Sequence, residues 1–151
     1  MANLRSARHA IGDLLGDKQL LSSPVYETEP VDCEPGAGKF LNTVLEVEYG
    51  GDPTLLLEHM IRIEESLGRT RDHARNVSRK IDIDLLYAGE LYVRNERLQL
   101  PHPRMHLRKF VLQPLADIRP ELILPNHTRT VRELLAELED SATVTRFAEK
   151  W

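Results

Sequence analysis

Apolar residues recur along this chain with two different periods. Leu4, Ala7, Ile11, Leu14 and Leu15 form one stripe at helical spacing, which predicts a helix over residues 1–15 that ends at Gly16-Asp17. Residues 20–28 read as a strand. Residues 28–38 carry Pro30, Pro35, Gly36 and Gly38 and read as a loop, long enough to bind rather than merely turn. Residues 40–49 form a second strand with Leu41, Thr43, Leu45, Val47 and Tyr49 on one face, broken by Gly50-Gly51. Asp52 suits a helix cap and Pro53 the first helical position; Leu55, Leu56, His59, Met60 and Ile63 give that helix its expected buried stripe, and Gly68 its stop. Residues 69–78 are a polar loop. Ile81, Ile83, Leu85 and Tyr87 then alternate as in a strand ending at Ala88-Gly89.

Downstream, residues 91–93 and 98–100 suggest a short ribbon, and Pro101-His102-Pro103 is irregular. Residues 105–118 are expected to be helical in part, with Pro114 kinking or dividing them. Residues 131–138 form another helix, while the stretch through Phe147 to Trp151 shows no clear period. The order is helix, strand, strand, helix, strand, then a helical tail. That is a βαββαβ pattern without its first strand: an α+β, ferredoxin-like antiparallel sheet with helices on one face and extra C-terminal helices. One domain spanning residues 1–151 is expected from the length.

Composition narrows the classes. With 29% charged and 41% hydrophobic residues the chain is neither disordered nor membrane-like, and no apolar run approaches the roughly 20 residues of a membrane helix. No basic, apolar, small-residue signal pattern opens it, and Cys33 is its single cysteine, so a reducing cytoplasm is expected. The net charge of −4 offers no general footprint for nucleic acid. The charge is uneven, however. Arg62, Arg69, Arg71, Arg75, Arg79 and Lys80 stand against only Glu64, Glu65 and Asp72. This fits either a local anion site or a solvated basic loop.

Beside that basic stretch, Asp82 and Asp84 leave the opposite face of the alternating segment. Residues two apart on a strand lie roughly 6.5–7 Å apart, where two carboxylates repel unless a cation sits between them. The pair suits magnesium on a polyphosphate, or an ordinary strand with a solvated polar face. Glu64 lies one turn before Gly68-Arg69, Arg79 leads into the aspartates, and His102 is held between two prolines with Arg108 and Phe110 close behind. His59, His73, His106 and His127 lack the spacing of a zinc set.

Taken together, Glu64-Glu65-Ser66-Leu67-Gly68-Arg69, Arg79-Lys80-Ile81-Asp82-Ile83-Asp84 and residues 101–115, with Tyr26-Glu27-Thr28-Glu29-Pro30 and Phe40-Leu41-Asn42 upstream, resemble the 6-hydroxymethyl-7,8-dihydropterin pyrophosphokinase family of folate biosynthesis. The resemblance runs from about Ala2 to the C-terminus. It implies transfer of pyrophosphate from ATP to the pterin's hydroxymethyl group, with release of AMP. It implies that Asp82 and Asp84 hold two magnesium ions, that Arg69 and Arg79 bind phosphate oxygens as catalytic residues, and that Glu64, His102 and Arg108 serve the nucleotide. It implies a pterin site of Thr28, Val31, Phe40, Asn42 and Phe110, with the two rings as a sandwich and the Asn42 amide reading the heterocycle edge. Residues 69–78 would be a loop that closes over both substrates. A cytoplasmic monomer with no nucleic-acid or membrane partner is expected.

The chain also departs from the family. The loop tryptophan that covers the pterin aligns with Asn76, and a proline and a tyrosine are replaced by Glu29 and Pro103. The family opens with a strand ending in Gly-Ser-Asn, lying between the strands that here begin at Phe40 and Ile81. Without it, those strands should either leave a gap or pair directly, and each buried unpaired group costs roughly 1–3 kcal/mol. The expectation is that the natural protein is longer and that Met1 is not its true start. Two other readings use the same pattern: a ferredoxin-like module binding RNA on its sheet, and another magnesium-dependent nucleotidyl transferase. The aspartates would repel RNA phosphates, and Asn42, Phe40 and Phe110 argue for a pterin.

Overall fold

The structure is a computed structural model that describes residues 1–16, 20–29, 38–68 and 81–151. Val31, Arg69, Arg79 and the loop at residues 69–78, Asn76 included, lie outside the described residues. The elements run α1 (Ala2–Leu15), β1 (Leu20–Ser22), β2 (Val25–Thr28), β3 (Phe40–Asn42), β4 (Leu45–Val47), α2 (Pro53–Ser66), β5 (Val93–Arg94), β6 (Gln99–Leu100), a 3-10 turn (Met105–Leu107), α3 (Lys109–Ile118), α4 (Val131–Glu137) and β7 (Val144–Ala148). Among the described residues the strands form three antiparallel sets, ordered β1-β4, β3-β2-β7 and β5-β6. The fold is therefore a mixture of helices and antiparallel sheet.

Each of the two strands expected over residues 20–28 and 40–49 is divided in the middle. Pro24 has no N–H to give to a ladder. Beside it, the buried Ser23 takes over: its own N–H donates to the Val44 carbonyl at 2.9 Å, and its hydroxyl accepts the Val44 N–H at 2.9 Å. The hairpin is thus pinned at its bend, with Leu20 opposite Val47 on one side and Tyr26 opposite Asn42 on the other.

The helices follow the local rules more closely. Asp52 caps α2 by accepting the Thr54 N–H at 2.8 Å, with Pro53 at its first position. The buried residues of α2 are Met60 and Glu64, one turn apart, while Leu55, expected in the buried stripe, is 46% exposed. Pro114 does not divide its helix: α3 runs unbroken through it, and the break falls at Arg108, which is extended at φ −127° and ψ 114°. At the sixth helical position a proline forfeits only one intrahelical bond, and burial of its ring offsets that loss. Thr130 and Glu133 form a capping box at the start of α4.

The main core gathers Val44, Met105, Leu112, Leu115, Leu124 and Val131, so that α3 and α4 close over the bend of the hairpin. The unpatterned C-terminal stretch becomes β7, an edge strand against β2. Its periodicity was hidden because Thr145, Arg146 and Phe147 are all exposed. The Tyr26 hydroxyl donates to Asp117 at 2.6 Å and Arg146 reaches both, which ties β2, α3 and β7 together. At the end of the chain the Trp151 indole donates to the Ser23 carbonyl at 3.0 Å, and Arg8 of α1 lies over its ring.

Residues 81–88 keep the predicted alternation, with Ile81 buried and Asp82 and Asp84 exposed. They are not a ladder strand, however, as the alternation alone had suggested: they pair with no strand among the described residues. Their backbone is held locally. The Ile83 N–H donates to the Glu64 carboxylate and the Leu86 carbonyl accepts the His102 N–H. Among the described residues the segment does not pair with the hairpin. Of the two expected outcomes the gap is found: an open cleft of about 980 Å³, bordered by both segments and by apolar residues of α1 and α2 such as Ala7, Ile11 and Met60, lies where the family's first strand was expected.

Candidate active site

The cleft has one wall from residues 41–51 and another from residues 81–89, with Leu4, Ala7 and Ile11 of α1 and Phe110 of α3 closing it. Four of the residues singled out from sequence lie on this surface together: Asn42, Asp82, Asp84 and Phe110. The whole segment from Ile81 to Gly89 borders the cleft, and within it Asp82 and Asp84 are exposed while Ile81 is 8% exposed. They are hard oxygen donors two residues apart on a solvent-facing surface. Such a pair fits magnesium, which binds one or two carboxylates and completes its octahedron with water and phosphate oxygens. Among the described residues no group of three or more His, Cys, Asp or Glu forms a metal cage.

Asn42 is oriented by its neighbour strand. Its side-chain amide donates to the Thr28 hydroxyl at 2.9 Å, and Thr28 is buried. The antiparallel register sets Asn42 opposite Tyr26 and Phe40 opposite Thr28, so these four polar and aromatic positions share the β2–β3 pair. Phe40 is 44% exposed and lies off the cleft lining. Phe110, in the first turn of α3, has the Arg108 guanidinium 5.5 Å from its ring centre.

His102 is fixed through its backbone N–H and through its ring. Its N–H donates to the Leu86 carbonyl at 2.7 Å, and its Nδ1 accepts the Arg104 N–H at 3.2 Å. With Nδ1 accepting, the neutral ring carries its proton on Nε2. Burial pushes the His102 pKa below its ordinary value, an effect that the nearby Asp84 carboxylate opposes and the Arg108 and Arg104 guanidinium groups reinforce. Glu64 does not sit on the cleft surface. It is 1% exposed behind the aspartate segment, where its Oε1 accepts the Ile83 N–H at 2.6 Å.

One polar cluster on the cleft was not singled out from sequence. The Tyr87 hydroxyl donates to Glu46, and the Arg119 guanidinium grips the same carboxylate. Arg119 holds the Glu46 carboxyl below its usual range, and burial together with Glu46 pushes the Tyr87 phenol upward. Tyr87 and Glu46 come from opposite walls, so this contact bridges the cleft. Nothing in the local sequence pairs residues 41 positions apart.

Comparison with known proteins bears on what this surface does. The family model for 7,8-dihydro-6-hydroxymethylpterin-pyrophosphokinase matches residues 1–120. A 2-amino-4-hydroxy-6-hydroxymethyldihydropteridine pyrophosphokinase of Haemophilus influenzae is 34% identical over 137 residues, covering 91% of this chain and 84% of that protein. Its namesake in Pseudomonas aeruginosa is 36% identical over 133 residues, covering 88% and 80%. The Bacillus subtilis protein of the same name is 45% identical over 96 residues, which span 64% of this chain and 56% of that protein. The match takes in both walls of the cleft, its aspartate pair and α3, and the chain belongs to the 7,8-dihydro-6-hydroxymethylpterin-pyrophosphokinase family.

Proposed function

We propose that this chain transfers pyrophosphate from ATP to the hydroxymethyl group of 6-hydroxymethyl-7,8-dihydropterin and releases AMP, a step of folate biosynthesis. It is an ATP-dependent diphosphotransferase, and ATP is its co-substrate. The pterin's hydroxymethyl oxygen loses its proton and bonds to the β-phosphorus, the bond from that phosphorus to the α,β-bridging oxygen breaks, and AMP departs with that oxygen and its electron pair. The observation that supports the assignment of roles is the placing of Asp82 and Asp84 on one cleft wall, with Asn42 and Phe110 on the same surface.

Asp82 and Asp84 would hold two magnesium ions. Bound magnesium screens the triphosphate's charge from the incoming oxygen. Phosphoryl transfer otherwise needs mainly positioning and charge stabilisation. Arg69 and Arg79 bind phosphate oxygens through their forked guanidinium groups. His102, with Nε2–H free of the Arg104 contact, donates to the nucleotide phosphates beside Arg108. Thr28 orients Asn42, whose remaining amide groups read the heterocycle edge. Phe110 stacks on the flat ring; Phe40, which lies off the cleft lining beside Thr28, and Val31 complete the pterin site by resemblance to the family.

The wider reading is of one domain over residues 1–151 with a ferredoxin-like arrangement of its sheets, acting as a cytoplasmic monomer on small molecules. No helix among the described residues is long and apolar enough to cross a membrane. The test is incubation with magnesium, ATP and the hydroxymethyl-dihydropterin. AMP that appears only when the pterin is present is the expected result. AMP without pterin, or RNA binding with no turnover, overturns the reading.

A further inference from the structure

The buried row of α2 contains a carboxylate where an apolar side chain would be expected. Met60 and Glu64, one turn apart, are the two buried residues of this helix. A carboxylate in such a place is strongly disfavoured unless it is hydrogen-bonded. Glu64 accepts the Ile83 N–H at 2.6 Å, and Ile83 is the residue between Asp82 and Asp84. The segment that carries the aspartates pairs with no strand among the described residues. Among the described residues its backbone is tied to other parts of the chain by bonds that include Glu64 accepting the Ile83 N–H and the Leu86 carbonyl accepting the His102 N–H.

We infer that Glu64 is a positioning residue for the aspartate pair, which acts by anchoring the intervening peptide from the interior side through the Ile83 N–H. The inference rests on the reading of Asp82 and Asp84 as the magnesium-holding pair. Moving the Ile83 peptide moves both neighbouring carboxylates at once, because they leave the backbone on either side of it. Interactions that orient metal ligands from behind ordinarily change metal affinity or activity about 10–100-fold when removed.

The experiment compares wild type with E64L and E64Q in full-length protein. Mn2+ binding in the presence of a non-hydrolysable ATP analogue is read by electron paramagnetic resonance, and turnover is read by AMP release. E64L fills the space without offering an acceptor, so a purely structural role predicts unchanged metal binding. The inference predicts that Mn2+ affinity and kcat each fall about tenfold or more in E64L while the pterin KM stays near wild type. It predicts that E64Q, which keeps an oxygen acceptor, recovers most of that loss. Wild-type Mn2+ affinity in E64L overturns it. Exchange of the Ile83 amide in the wild-type protein decides the matter even if E64L does not fold: slow exchange supports the anchor, and exchange at the rate of a free peptide overturns it. Wild-type activity in D82N and D84N would remove the underlying site. Loss of activity in those variants beside an unaffected E64L would remove only the role given to Glu64.

Discussion

The Asn42 amide donates to the Thr28 hydroxyl at 2.9 Å across the β2–β3 pair, so a buried hydroxyl on one strand sets the orientation of an amide exposed to the cleft from the next. If Asn42 reads the pterin edge, Thr28 matters although it need not touch the ligand. Thr28→Val removes one neutral hydrogen bond, worth about 0.5–1.5 kcal/mol. The pterin KM is expected to rise about two- to tenfold with kcat little changed, and Asn42→Ala should raise it further. Steady-state kinetics at saturating ATP check both.

Asp82→Asn and Asp84→Asn keep the shape of the segment and remove the negative charge. Each is expected to lower kcat at least about 100-fold, as loss of a principal electrostatic contributor does. AMP release over a magnesium titration is the measurement. Excess magnesium should restore part of the loss if weakened metal binding is its cause.

Ser23→Ala is a stability test. The hydroxyl accepts the buried Val44 N–H at the bend where Pro24 offers no donor of its own. Its removal strands that N–H, at about 1–3 kcal/mol. Urea unfolding should show a lower midpoint with an unchanged slope.

The Glu46 carboxyl titrates below its ordinary value because Arg119 holds it ionised. A depressed folded-state pKa contributes stability in full above the unfolded value, near 4.5, and loses it as pH falls through the lower folded value. Thermal midpoints of wild type and Glu46→Gln should therefore separate above about pH 4.5 and converge in acid.

Much of this was legible in the sequence, for identifiable reasons. The α1 stripe, the Asp52-Pro53 start of α2 and the Asp82/Asp84 alternation are local patterns, and local patterns survive folding. The break at Ser23-Pro24 was not read, because it depends on a hydroxyl meeting Val44 across the hairpin. The unbroken passage of α3 through Pro114 depends on where that helix starts. β7 pairs at an edge, and its exposed residues left no alternation to see. The burial of Glu64 follows from its four-residue spacing from Met60, which sets both on the interior side of α2.

Phe110 and Leu112 stand two residues apart on α3, about 200° around its axis, one toward the cleft and the other fully enclosed. The helix therefore works as a rigid lever between the hydrophobic interior and the aromatic surface. Trimming Leu112, which is enclosed and does not line the cleft, should tilt the ring and alter which bicyclic compounds are tolerated. Selection for resistance to pterin mimics would then be expected to recover changes deep inside the molecule as well as beside the aspartates.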